Sequence, residues 1–191
     1  MKDKIKNNLY IGVFTNYLLF SATTPLVNIF FIQKVSTVVF SIVNWVSIII
    51  VLVMNKILKS QKNREVLQKF FLPIIIIDTL IFLIISFAGE YYINIRFFGL
   101  AILNGTTTAI WMCIMKSNIN KVFMGDELTN FQTQQEYLVS ISQLIGATIA
   151  VLLTKLDVGI EILMLIQIIA SVIMGYFDYK VIKIIETREI N

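Results

Sequence analysis

The chain alternates long apolar runs with short polar breaks, and one break constrains the rest: the basic stretch 55–69. It carries Lys56, Lys59, Lys62, Arg64 and Lys69 against a single acid, Glu65. An apolar run lies on each side, 35–54 before it and 70–88 after it. A helix rises about 1.5 Å per residue and the hydrocarbon of a bilayer is about 30 Å thick, so about 20 apolar residues suffice to cross it. A basic loop between two such spans stays on the cytoplasmic side, because translocating Lys and Arg is unfavourable. Placing this loop inside sets the direction of every other run.

Composition supports a membrane chain. Hydrophobic residues make up 57% and charged residues 15% of the sequence, with a mean hydropathy of +0.81. Soluble domains average about 45–50% apolar and about 25% charged. Two prolines and eight glycines leave little room for flexible linkers, so a single membrane domain over residues 1–191 is expected. The net charge is +4. Its basic residues fall in the breaks between apolar runs, without interleaved aromatics, so they read as topology and no nucleic-acid partner is expected.

The residue inventory also narrows the chemistry. There is no histidine and one cysteine, Cys113, which removes His-based metal sites, Ser-His and Cys-His nucleophiles and an internal disulfide. No Gly-rich phosphate loop is present, and no paired carboxylates lie within the apolar runs. No catalytic residue, metal or cofactor is expected, and the chain does not read as an enzyme.

Six membrane helices are expected, at about 9–32, 35–54, 70–88, 96–115, 136–153 and 158–176. The first run follows a basic start, as a signal peptide does, but it far exceeds the roughly 7–15 residues of a signal core. Pro25 is expected to bend it, which membrane helices tolerate. Gln33 and Lys34 form a minimal outer turn, and Tyr91 and Tyr92 in the next outer turn suit an interfacial belt. Within 116–135, Gly125-Asp126-Glu127 should break the chain. Thr129 with Gln132, and Thr133 with Glu136, have capping-box spacing, which predicts a short surface helix before the fifth span. The charged tail 178–191 should continue as helix.

With both termini cytoplasmic, the inner segments hold three basic residues before the first span, five in 55–69, Lys116 and Lys121, and three in the tail. The outer side holds Lys34, Arg96 and Lys155. This asymmetry supports that orientation.

Polar residues inside the spans are the candidate functional groups, because such groups are costly in hydrocarbon. Asn16, Ser21, Thr23, Thr24 and Asn28 of the first span fall within an arc of about 160° at 100° per residue. The fourth span has Asn104, Thr108, Trp111 and Met115 within about 60° of one another. These faces read either as helix–helix hydrogen bonding or as cavity walls, with Asn16, Thr24, Asn28, Asn104, Thr108 and Trp111 as the cavity candidates. Asp78 lies among isoleucines in the third span and must be protonated or paired. It is a candidate proton or cation site, or a neutral carboxyl bonded to another helix, for instance at Asn44. Ser142, Gly146 and Ala150, together with Ser171 and Gly175, have the small-residue spacing that lets helices pack closely.

Six spans, both ends inside, a basic loop after the second span and a longer connection after the fourth resemble one half of a major facilitator superfamily transporter. The family's loop signature runs Gly-x-x-x-Asp-Arg/Lys-x-Gly-Arg/Lys-Arg/Lys. Here Lys59-Ser-Gln-Lys62-Asn-Arg64-Glu-Val66-Leu67 keeps Arg64 and Val66-Leu67, while Lys59 and Lys62 stand where the family has Asp and Gly. The family's exporters often carry Gly-x-x-x-Gly-Pro-x-x-Gly in the fifth span. Ser142-x-x-x-Gly146-Ala147-x-x-Ala150 keeps the small sizes without the proline. The resemblance implies a three-plus-three helix bundle and a substrate path lined by spans 1 and 4. It also implies a partner half, since the complete architecture has two halves related by an axis along the membrane normal. The expectation is a half-size transporter subunit in a bacterial cell membrane, moving a small molecule or peptide by alternating access. It would work as a homodimer or with another membrane subunit. The alternatives are a non-transporting accessory or immunity protein and a six-span substrate-binding subunit of an uptake complex.

Overall fold

The computed structural model describes residues 1–34, 37–71, 73–74, 76–77, 79–81 and 93–190. Side chains 93–97, 100, 103, 104, 107 and 188–190 lie outside that description. All secondary structure among the described residues is helical. The helices are α1 (Lys2–Lys34), α2 (Thr37–Ile57), α3 (Gln61–Lys69), α4 (Ile93–Val122), α5 (Asp126–Lys155) and α6 (Ile160–Ile190). Residues of 71–81 are helical where they are described.

Among the described residues, four helices are long and apolar enough to cross a membrane: Lys2–Lys34, Thr37–Ile57, Asp126–Lys155 and Ile160–Thr187. They correspond to the expected first, second, fifth and sixth spans. The expected fourth span lies within α4, which is not among those four. Most of the expected third span lies outside the described residues. Exposure follows membrane logic. On α2, Ile42, Trp45, Ile48, Ile49, Leu52 and Val53 recur at helical spacing and all are exposed. In water such a face would be strongly unfavourable, whereas in acyl chains it is at home. Thr23, Ser142 and Gln167 are meanwhile buried between helices. The chain is a membrane-embedded helical protein.

The helices group into two compact units, Met1–Pro25 with Met115–Asn191, and Leu26–Ile114. In the first unit, the N-terminal part of α1 packs against α5 and α6. A Cβ placed on Gly146 of α5 would lie 2.6 Å from the Leu18 carbonyl oxygen and 2.7 Å from Ser21 Cβ. Only hydrogen fits at that crossing. Ser142, Gly146 and Ala150, the expected small-residue stripe, are all buried on α5. Gly12 of α1 lies under Phe177 of α6, where an added Cβ would come within 3.1 Å of Phe177 Cβ. Gly175 is buried and Ser171 half-buried on α6. In the second unit Gly105 of α4 crosses α2 closely, and a Cβ there would lie 2.8 Å from the Ser47 carbonyl oxygen.

Three local expectations are corrected. Gln33 and Lys34, expected as an outer turn, are instead the last residues of α1. There is no separate surface helix before the fifth span, because α5 runs unbroken from Asp126 to Lys155. Gly125 does break the chain, with φ 55° and ψ −135°, a conformation that favours glycine. Asp126 and Glu127 then open α5, where their carboxylates complement the positive end of the helix dipole. Thr129 and Thr133 are inside the helix, and their hydroxyls donate back to the Gly125 and Thr129 carbonyls at 3.4 and 3.0 Å. The remaining correction concerns 55–69, which contains the nine-residue helix α3 rather than a loop. The tail continues as helix to Ile190, as expected.

Candidate functional site

The polar side of α1 divides between the two units. Asn16, Ser21, Thr23 and Thr24 belong to the first, and Asn28 belongs to the second. Thr23 is fully buried and its hydroxyl donates to the Leu19 carbonyl at 2.8 Å. This local bond satisfies a polar group without a partner helix. Thr24 is half-buried and accepts a hydrogen bond of 3.2 Å from Gln167 Nε2 of α6. Ser21 meets Gly146 at the α1–α5 crossing. These residues are therefore engaged in helix packing. Asn16 is half-buried.

In the second unit the polar groups are placed differently. Asn28 of α1 and Thr108 of α4 are exposed, and Trp111 is half-buried. Asn104 lies on α4, with its side chain outside the described residues, and Asp78 lies outside them altogether. Asn44, a suggested partner of Asp78, is exposed on α2. Thr106 donates to the Ile102 carbonyl at 2.8 Å, so its hydroxyl is satisfied within α4. At the other end of α4 the Cys113 thiol donates to Asn55 Oδ1 at 3.3 Å. Among the described residues no group of three metal-ligating side chains comes together.

Two arrangements were missed by sequence reasoning. The first is the buried Gln167 on α6, hidden in the sequence as one amide within an isoleucine-rich run. The second is an aromatic stack in the first unit. Tyr10 lies on Phe131 (centroids 5.4 Å apart, 10° between planes), and Phe131 lies on Phe123 (4.8 Å, 5°). Lys6 sits 5.4 Å from the Phe123 centroid, Lys2 pairs with Glu127, and the Tyr10 hydroxyl donates to Gln134 Oε1 at 2.7 Å. The N-terminal lysines, read from the sequence as topology alone, thus hold the start of α1 against the α4–α5 connection. Each stacked pair contributes about 0.5–1.5 kcal/mol beyond its buried area, and each exposed cation–π contact about 0.5–1 kcal/mol. The exposed ion pair contributes about 0–1 kcal/mol.

No known protein family, curated protein or solved structure matches this chain.

Proposed function

We propose that the chain is a half-size transporter subunit of the major facilitator kind. It has six spans and both termini on the cytoplasmic face of a bacterial cell membrane. Its solute path is completed by a second copy or by another membrane subunit. The observation that carries this reading is the exposure of Asn28 and Thr108. Asn28 lies within the expected first span, and Thr108 is midway along α4. Polar side chains at such depth are unfavourable against lipid, so a wet path or a partner covers them. A small molecule or peptide would move along this face by alternating access. Asn104 and Trp111 share that face of α4 by helical spacing, and Asp78 is the candidate for coupling to protons or cations.

A second reading has its own support. If the chain is a non-transporting accessory or immunity protein, its polar residues serve packing alone. Thr23, Thr24 and Ser21 of the first unit behave in that way. Single cysteines at Asn28 and Thr108, in a Cys113→Ala background in nanodiscs, separate the two. Transport predicts labelling by a water-soluble thiol reagent and cross-linking between copies or to a partner. A monomer in which both positions resist that reagent and cross-linking would leave only the accessory reading.

A further inference from the structure

The helix α3 presents two chemically different sides. At 100° per residue, Lys62, Val66, Lys69 and the following Phe70 fall within an arc of about 100°. All four are exposed, with Val66 at 47% and Phe70 at 55%. Leu67, Arg64 and Gln68 fall on the opposite side, and all three are half-buried. Arg64 fixes this orientation, because its guanidinium donates to the carbonyls of Leu58 and Lys59 at 2.9 and 3.0 Å. Asn63 Nδ2 donates to the Ile57 carbonyl at 2.8 Å. These bonds satisfy carbonyls at the end of α2 and fold α3 against it. Leu58, in the turn between the two helices, is 1% exposed. Since α2 is long and apolar enough to cross a membrane, a crossing by α2 would end at the turn from which α3 starts.

The outward side of α3 has a composition that water alone does not explain. It mixes two lysines with a valine and a phenylalanine, and Lys56 and Lys59 lie beside it, also exposed. Among the described residues none of Lys56, Lys59, Lys62 and Lys69 has an ion-pair partner. The one acid of this stretch, Glu65, accepts from Gln61 Nε2 at 2.8 Å. Apolar side chains flanked by unpaired ammonium groups match a membrane interface. The apolar groups enter the acyl boundary and the lysines extend to the phosphates.

We infer that the Lys62–Val66–Lys69–Phe70 face of α3 is a docking surface for anionic phospholipid headgroups. Its occupant is a lipid phosphate in the adjoining leaflet, selected by charge complementarity at a site already held against the membrane. Each lysine near an anionic surface contributes about 1 kcal/mol, which is about a fivefold preference. Neutral headgroups attract the face weakly, and salt screens the attraction. The inference holds whether or not the chain moves a solute.

The test uses the full chain with Cys113→Ala and Val66→Cys, labelled with an environment-sensitive fluorophore. It is reconstituted in nanodiscs of phosphatidylcholine with increasing phosphatidylglycerol. The emission should shift to the blue and be quenched by headgroup spin-labelled lipid as phosphatidylglycerol is added. Raised salt should weaken the effect. Lys62→Gln with Lys69→Gln should weaken the shift at every phosphatidylglycerol fraction, the preference for the anionic surface falling by about fivefold per lysine. The lysines are exposed, so the variant's helix content and thermal unfolding in phosphatidylcholine should match the parent. Water-like emission in every disc, as a face reserved for an acidic soluble partner would give, overturns the inference. An equal shift with and without phosphatidylglycerol also overturns it.

Discussion

At the scale of single residues, the tightest constraint is Gly146. A Cβ added there would lie less than 3 Å from the Leu18–Ser21 segment of α1, and the closest atom is a backbone carbonyl oxygen that no rotamer change can move. A methyl group there forces the helices apart. Gly146→Ala should therefore destabilise the chain by about 1–3 kcal/mol, although alanine is the better helix former. Thr148→Ala, two residues along on an exposed position, should change stability by no more than about 0.5 kcal/mol. Thermal unfolding in detergent checks both, and equal effects would show that the crossing is loose. Gln167 makes a smaller contribution of the same sort, because hydrogen bonds between membrane helices average about 0.6 kcal/mol.

At the scale of elements, the start of α5 shows how a local signal can be present and yet unused. Thr133 with Glu136 has the spacing of a capping box, but Thr133 lies two turns inside α5 and bonds the Thr129 carbonyl. Removing a true N-cap costs about 0.5–2 kcal/mol. Thr133→Ala should instead be neutral within about 0.5 kcal/mol, since back-bonding threonines do not stabilise a helix interior. Gly125→Ala should cost about 1–3 kcal/mol, because φ 55° with ψ −135° strains any residue with a Cβ. Denaturation of the two variants gives the comparison. A large loss for Thr133→Ala would restore the surface-helix reading. The first helix makes a related point. It begins at Lys2 rather than near residue 9, since Tyr10, Phe131 and Phe123 give its polar start something to pack on.

At the scale of the whole molecule, the proposed orientation makes a direct prediction. Ser60→Cys, beside α3, should react with a membrane-impermeant thiol reagent only from the cytoplasmic side, and Tyr92→Cys only from outside. The Cys113→Ala background keeps the signal specific. Labelling of Ser60→Cys from outside would overturn the proposed orientation. The mass of the reconstituted complex then bears on assembly. A half-size transporter should be found as two copies or with a second membrane subunit, which would cover Asn28 and Thr108.

Several features could be read from the sequence because they depend on local order alone. Of the six spans expected from apolar runs, four correspond to described helices long and apolar enough to cross a membrane. The Gly125 break and the helical tail followed from backbone preference and continuity. Four-residue spacing puts Ser142, Gly146 and Ala150 on one helix face whatever lies opposite, and all three are buried. What lies opposite was decided only by tertiary structure. The polar residues of α1 share one side of the helix, and spacing treats them alike. Packing separates them, burying Thr23, joining Thr24 to Gln167 and leaving Asn28 exposed. The same holds for 55–69, whose basic charge was plain in the sequence. Its two-sided helix depends on Arg64 reaching the carbonyls of Leu58 and Lys59, a contact whose geometry exists only after α2 has ended and the chain has turned. Periodicity fixes which side chains share a face of a helix, but the partner that the face meets is set by neighbours distant in sequence.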